Sequence, residues 1–233
     1  MKLIIENVKK NYGQKKVLEG IDFEFEDGKI YGLLGVNGSG KTTFFDLINK
    51  DVPLTAGEIY VSDNNQKKKI STDIIGYVRS TPMVPDFLTA RELVEFYLEV
   101  NEGKIDNVKT TEEYLDDFYI AREDRDKLLK EYSHGMKNKI LMLINFVNNP
   151  KILLLDEPLT SFDPVISDNM KKKLLGIKKD KFVIVSTHIM EIAIDLCDEI
   201  VLLKDGKFEV IDNVKLGKVK SEKLILKHLK EIN

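Results

Sequence analysis

The opening third of the chain alternates apolar and polar positions at the two-residue period of a half-buried strand. Lys2 to Val8 is the first such stretch, and Leu18 to Glu26 is the second, with Ile21, Phe23 and Phe25 sharing a face. Ile30 to Leu34 is apolar without a break and predicts a strand covered on both sides. A helix is expected from Lys41 to Asn49. Gly57 to Val61 and Ile74 to Val78 then resume strand character around a polar hairpin in which Lys67, Lys68 and Lys69 read as a solvated turn.

From Thr89 the period changes. Leu93, Val94, Tyr97 and Leu98 recur at helical spacing, and Thr89 with Glu92 three residues on has the form of a capping box. Between Glu99 and Glu131 acidic residues interleave with Tyr114, Leu115, Phe118, Leu128 and Leu129, the pattern of amphipathic helices with solvated faces. The final third alternates strand and helix: Ile152 to Leu155, a helix after Pro164, Phe182 to Ser186, a helix through Ile194, then Glu199 to Leu203. That rhythm implies a parallel sheet. Ser221 to Asn233 reads as a short lysine-rich amphipathic helix. No repeat or long linker divides the chain. The expectation is one domain over residues 1–233: an α/β core, a strand-rich edge and a helical insertion at about residues 80–148.

Composition narrows the function classes. The 233 residues are 42% hydrophobic and 32% charged, which excludes a disordered chain. Lys and Arg total 36 against 39 for Asp and Glu, so the net charge of −3 lacks the basic excess of a general nucleic-acid binder, and none is expected as a partner. The single cysteine, Cys197, allows neither an intramolecular disulfide nor a thiolate zinc cage, and in the apolar stretch Ile192 to Leu203 it reads as a small core residue. The opening Met1-Lys2-Leu3-Ile4-Ile5 meets Glu6 before a secretory core could form, and no window reaches about 18 apolar residues. Any membrane role is therefore expected to come through a partner.

Two motifs carry chemistry. Gly35-Val36-Asn37-Gly38-Ser39-Gly40-Lys41-Thr42 has four residues between two glycines, then Lys and Thr, and it lies between a buried strand and an expected helix. Such a loop curls so that backbone N–H groups point inward at a polyphosphate, helped by the positive end of the helix dipole. Lys41 would reach the β- and γ-phosphates and the Thr42 hydroxyl would supply one ligand to Mg²⁺, with Thr43 next in the cradle. The loop alone leaves kinases, GTPases, helicases and transport ATPases open. The second motif, Lys151 to Pro158, is an apolar strand ending in Asp156 and Glu157. Two acids at a buried strand end call for a cation: Asp156 would hold Mg²⁺ through water, and Glu157 would face an attacking water as general base or as its positioner.

With these two motifs in place, the chain resembles the nucleotide-binding subunit of ATP-binding cassette (ABC) transporters along nearly its whole length. The resemblance implies a P-loop NTPase fold with a RecA-like parallel-sheet core, an antiparallel β subdomain and an inserted α-helical subdomain. It also implies ATP and Mg²⁺ as cofactors and an ATPase activity. Tyr132-Ser133-His134-Gly135-Met136-Lys137 stands at the family's marker turn, keeping Ser133 and Gly135, which in the family touch the γ-phosphate bound to the opposite subunit. Tyr12 matches the aromatic residue that stacks on adenine, Asp163 the loop that communicates between sites, and His188 the switch histidine at the γ-phosphate. Partners implied are a second nucleotide-binding subunit, identical or paralogous, and an integral membrane permease, with the chain on the cytoplasmic face of the membrane.

Two departures qualify the match. Ser80 stands where the family has a Gln that senses Mg²⁺ and touches the permease, so coupling is expected to use Arg79 or a water bridge. His134 replaces the first marker glycine, as in bacterial exporter subunits of the bacitracin and antibiotic-export type, so an exporter is expected. The alternatives are a soluble ATPase of the same class and an ATP-sensing regulatory subunit.

Overall fold

The computed structural model describes residues 1–64, 66–103, 105 and 109–211; the helix expected at 221–233 lies outside them. Two long strands, β1 (Lys2–Tyr12) and β2 (Lys15–Glu26), open the chain, followed by β3 (Lys29–Leu34), the helix α1 (Lys41–Ile48), and β4 (Ala56–Asp63), β5 (Gln66–Lys69) and β6 (Ile75–Val78). Three helices come next, α2 (Ala90–Val100), α3 (Thr111–Asp117) and α4 (His134–Asn148). The remainder alternates through β7 (Ile152–Asp156), α5 (Pro164–Ile177), β8 (Phe182–Thr187), α6 (Met190–Leu196), β9 (Glu199–Lys204) and β10 (Lys207–Ile211).

The strands form a four-stranded antiparallel sheet, order β2-β1-β4-β5, and a six-stranded sheet, order β10-β9-β3-β8-β7-β6. In the larger sheet β3, β6, β7, β8 and β9 run parallel, and β10 turns back antiparallel on β9. That last strand is an addition to the expected pattern; it is five residues long and only Ile211 is buried, so it carries little apolar pattern. This is the α/β architecture of a P-loop NTPase, with a β subdomain and a helical lobe.

Continuous apolar strands are explained by the two faces they serve. Ile152 and Leu154 of β7 join Phe44 and Phe45 of α1 and Leu3, Ile5 and Phe25 of the antiparallel sheet in one buried cluster. Leu153 and Leu155 join Leu143 of α4 and Met170 of α5 in another. Each such side chain contributes roughly 1.5–3 kcal/mol on burial. The helical lobe belongs to this second cluster through Val94, Leu115 and Leu129, so it shares its core with the sheet. The capping box at Thr89 and Glu92 is present. Leu128 and Leu129 lie outside any α-helix, Leu129 opening a 3₁₀ turn.

Lys67, Lys68 and Lys69 are a correction: they form an edge strand against β4, pairing in register with Ser62, Val61 and Tyr60. Backbone hydrogen bonds can build a strand from any residue with an available N–H, and lysines suit an edge because they deter further pairing. Lys68 pairs with Asp63 at 2.8 Å, and the Lys67 ammonium lies 4.1 Å from the Tyr60 ring centroid. The first strand also runs past Val8 to Tyr12, which places Tyr12 opposite Lys15 at the end of a hairpin. Half-buried Cys197 packs against β3, where a side chain at Gly32 would meet its Sγ at 2.9 Å.

Candidate functional site

The site is assembled at the carboxyl ends of three neighbouring parallel strands, where the crevice of an open α/β sheet lies. From β3 the chain enters the loop at residues 35–40 and then α1. Gly38 and Gly40 take left-handed φ values of 82° and 109°, and a side chain at Gly40 would also meet Val17 Cγ1 at 2.9 Å. Gly40 caps α1 without a side-chain hydrogen bond and the first turn holds no acidic residue, leaving the helix start to an external anion. Lys41 is 7% exposed, and its Nζ donates to the carbonyls of Gly35 at 2.7 Å and Val36 at 3.2 Å. Burial lowers its ammonium below the ordinary lysine value, with Glu157 and Asp156 opposing.

Next in the sheet, β8 and β7 end in hydroxyls and carboxylates. Asp156, 2% exposed, receives the Thr42 hydroxyl on Oδ2 at 2.8 Å and the Ser186 hydroxyl on Oδ1. The parallel register sets Asp156 beside Ser186. Glu157 adopts a left-handed φ of 54°, unusual for a residue with a side chain, and costs about 1 kcal/mol or more there. Its N–H donates to Ser186 O at 3.1 Å and its carbonyl accepts the Thr160 hydroxyl at 2.9 Å, which hold the turn. The Glu157 carboxylate meets His188 Nδ1 at 2.8 Å.

Asp156, Glu157 and His188 border a cavity of about 660 Å³ together with Tyr12, Asn37, Gly38, Gly40, Lys41, Thr42, Thr43 and Ser80. Lys15, Val17 and Thr160 also border it, and sequence reasoning missed them. Only the hairpin and the turn after β7 bring them here; no motif marks them. Tyr12 is 48% exposed at the mouth. Gly35 contributes its carbonyl to Lys41, whereas Val36 and Ser39 line a neighbouring cavity of about 390 Å³. Ser39 Oγ is buried with no hydrogen-bond partner among the described residues.

Ser133 and Gly135 do not border the larger cavity. Ser133 is an exposed N-cap of α4, its Oγ accepting from Met136 N at 3.3 Å. Gly135 lies against the loop after Glu157, where a side chain would come 2.8 Å from Ser161 O. Asp163 caps α5, accepting from the N–H groups of Val165 and Ile166 at 3.0 Å each. Arg79 is held by groups of its own chain. Its guanidinium donates to Asp46 at 3.0 Å, pairs with Asp51 and stacks 4.5 Å from the Tyr77 ring centroid, clamping the end of β6 to α1. Its side chain stays 31% exposed beside these partners.

The donor set fits a hard cation. Thr42 and Asp156 offer two oxygens side by side, and among the described residues no group of three His, Cys, Asp or Glu side chains could hold a metal by itself. An ion there would complete its shell from phosphate and water, the habit of Mg²⁺. Among the described residues no helix is long and apolar enough to cross a membrane.

A phosphate-type loop, a carboxylate-ended strand and a parallel sheet in this order define an ATP-binding α/β protein of the P-loop class. Residues 18–160 match the ABC transporter family. The chain belongs to that family, and its fold is that of the family's ATP-binding domain. It is 32% identical over 208 residues, 88% of this chain and 75% of the relative, to an uncharacterized ABC transporter ATP-binding protein of Methanocaldococcus jannaschii, MJ1023. It is 28% identical over 215 residues to ATP-binding cassette sub-family A member 17 of Mus musculus, covering 90% of this chain but spanning 12% of that protein's length. Among solved structures it resembles the dimeric post-hydrolysis state of the ATP-binding cassette MJ0796 bound to ADP and Pi, with a TM-score of 0.74, 25% identity and coverage of 89% and 96% of the two chains.

Proposed function

We propose that this chain, as one ATPase domain, binds and hydrolyses MgATP and that the cycle drives a separate membrane permease. The observation that carries the reading is the convergence of residues 37, 38 and 40–43, Asp156, Glu157 and His188 on one cavity, with Thr42 and Asp156 2.8 Å apart. Lys41 exchanges its carbonyl partners for the β- and γ-phosphates, and the first-turn N–H groups of α1 take further phosphate oxygens. Thr42 and Asp156 would hold Mg²⁺, which Ser80 would reach through water, and the ion would supply neutralising charge to the phosphates. Tyr12 stacks on the adenine.

Glu157 accepts the proton of the water that attacks the γ-phosphorus as the bond to the leaving ADP oxygen breaks. His188 holds the Glu157 carboxylate now and contacts the γ-phosphate when nucleotide is bound. Ser133 and Gly135 lie off the cavity on their own chain, which fits a head-to-tail pair in which the partner copy supplies them. The solved dimeric relative supports the pairing. The permease places the chain at the cytoplasmic membrane face, and the Ser133 to Met136 turn favours export.

Glu157→Gln is the test. It should lower ATP hydrolysis by roughly 10²- to 10⁴-fold while ATP still binds, the loss expected for a general base. Near-normal turnover in that variant would remove Glu157 from the role. Wild-type turnover at background with tight ATP binding would make the chain an ATP sensor.

A further inference from the structure

We infer that Lys10 is a positioning residue for the nucleotide base: it holds the Tyr12 ring from behind, and its charge improves the free face of that ring as a platform for a purine. The inference rests on the proposed nucleotide reading of the cavity. Lys10 and Tyr12 are two residues apart on β1, so their side chains leave the same face. Lys10 is 6% exposed. Its Nζ donates to Pro53 O at 2.7 Å and lies 4.7 Å from the Tyr12 ring centroid.

The anchor for this ammonium is itself tied down. Thr55 N donates to Lys9 O at 3.0 Å and Asn11 N donates to Thr55 Oγ1 at 3.0 Å, so the 53–55 segment is stitched to β1 on either side of Lys10. Tyr12 borders the cavity and Lys10 is not among its lining residues; on our reading the cation takes one ring face and leaves the other to the base. A buried ammonium needs compensation for lost water, and here a carbonyl and an aromatic face supply it. The contact restrains the tyrosine, which is otherwise 48% exposed. It also draws π-electron density toward the lysine, which makes the cavity-side face less repulsive to the π-cloud of a purine.

Three variants of the full chain separate the tether from the charge: Lys10→Met removes both, Lys10→Gln keeps a donor for the Pro53 carbonyl, and Lys10→Arg keeps the cation. Each is titrated calorimetrically with MgATP and with magnesium tripolyphosphate, which carries three phosphates and no base. Lys10→Met and Lys10→Gln should weaken ATP by about 3- to 10-fold and leave tripolyphosphate within about twofold, with Lys10→Arg near wild type. In steady-state hydrolysis the loss should fall on KM and not on kcat.

Unchanged ATP affinity in the two neutral variants, or equal weakening of ATP and tripolyphosphate, would overturn the role of Lys10. So would a wild-type chain that binds ATP no better than tripolyphosphate, while leaving the phosphate cradle standing. A wild-type chain that binds neither ligand would bring down the nucleotide reading along with it. If Lys10→Met does not fold, judged by circular dichroism, Lys10→Gln decides by the same titrations.

Discussion

The two ends of the core sheet are made from the same strands and hold most of their charges in different ways. At the starts of β3, β7 and β8 stand three lysines, Lys29, Lys151 and Lys181. Lys29 pairs with Glu26 and Glu199 at 2.6 Å each, and Lys151 pairs with Asp27 at 3.3 Å. Lys181 is the exception among the three, donating to neutral groups, Pro150 O at 3.2 Å and the Asn149 side chain. At the other ends of these strands, Lys41 rests on backbone carbonyls, Asp156 on two hydroxyls, and Ser39 Oγ lacks a partner among the described residues. Polar groups held by neutral partners can exchange them for a ligand at small cost, whereas ion pairs closed on each other serve the fold. The lesson is that buried polarity marks a site only where it is left with exchangeable partners.

If that contrast is right, substitutions at the cavity end remove function with little change in stability, and those at the lysine end do the reverse. The largest effect is Glu157→Gln on hydrolysis, and its urea midpoint should stay close to wild type. Lys41→Ala comes next: losing charge-assisted bonds to phosphate should weaken ATP about 10- to 100-fold in a titration. Undiminished affinity would mean that Lys41 keeps its carbonyl partners in the bound state, and a large fall in urea midpoint would erase the difference between the two ends.

The lysine end is sharpened by pH. Burial pushes the Lys181 ammonium down to about 8 from its ordinary 10.5. Between those values the unfolded chain binds more protons than the folded one, so the contribution of Lys181 to stability rises with pH, by ~1 kcal/mol at pH 9. Urea midpoints of wild type and Lys181→Met from pH 7 to 10, an interval spanning the value of about 8, should diverge in favour of wild type, and a constant gap would show no titration there. The smallest effect is Lys29→Met, a partly exposed ion pair with both its acids screened by water, at no more than about 1 kcal/mol in the same measurement and without change in ATP affinity.

Local signals were legible wherever a residue's neighbours in sequence are also its neighbours in space. The Thr89–Glu92 capping box, Pro164 at the start of α5, and the unbroken apolar runs of β3, β7 and β8 are of that kind. The lysine edge strand was illegible because its backbone pairing with β4 depends on no apolar pattern. Arg79 could not be read as a clamp, since Asp46 and Asp51 lie 33 and 28 positions away in sequence. Ser186 beside Asp156 follows only once β7 and β8 are known to be adjacent.

By itself, then, the sequence determined the class: hydrophobic period dictates which segments become strand or helix, and the Gly35 to Thr42 loop needs only its own glycines and the helix after it to curl. Tertiary structure decided the rest. It chose the strand order that brings Thr42 within 2.8 Å of Asp156 across 114 positions, set the Lys10 ammonium 4.7 Å from the Tyr12 ring centroid, and left Ser133 off the cavity on its own chain. The physical reason is that hydrogen bonds and π contacts act over a few ångströms, and only the packing of the two clusters sets which distant residues come that close.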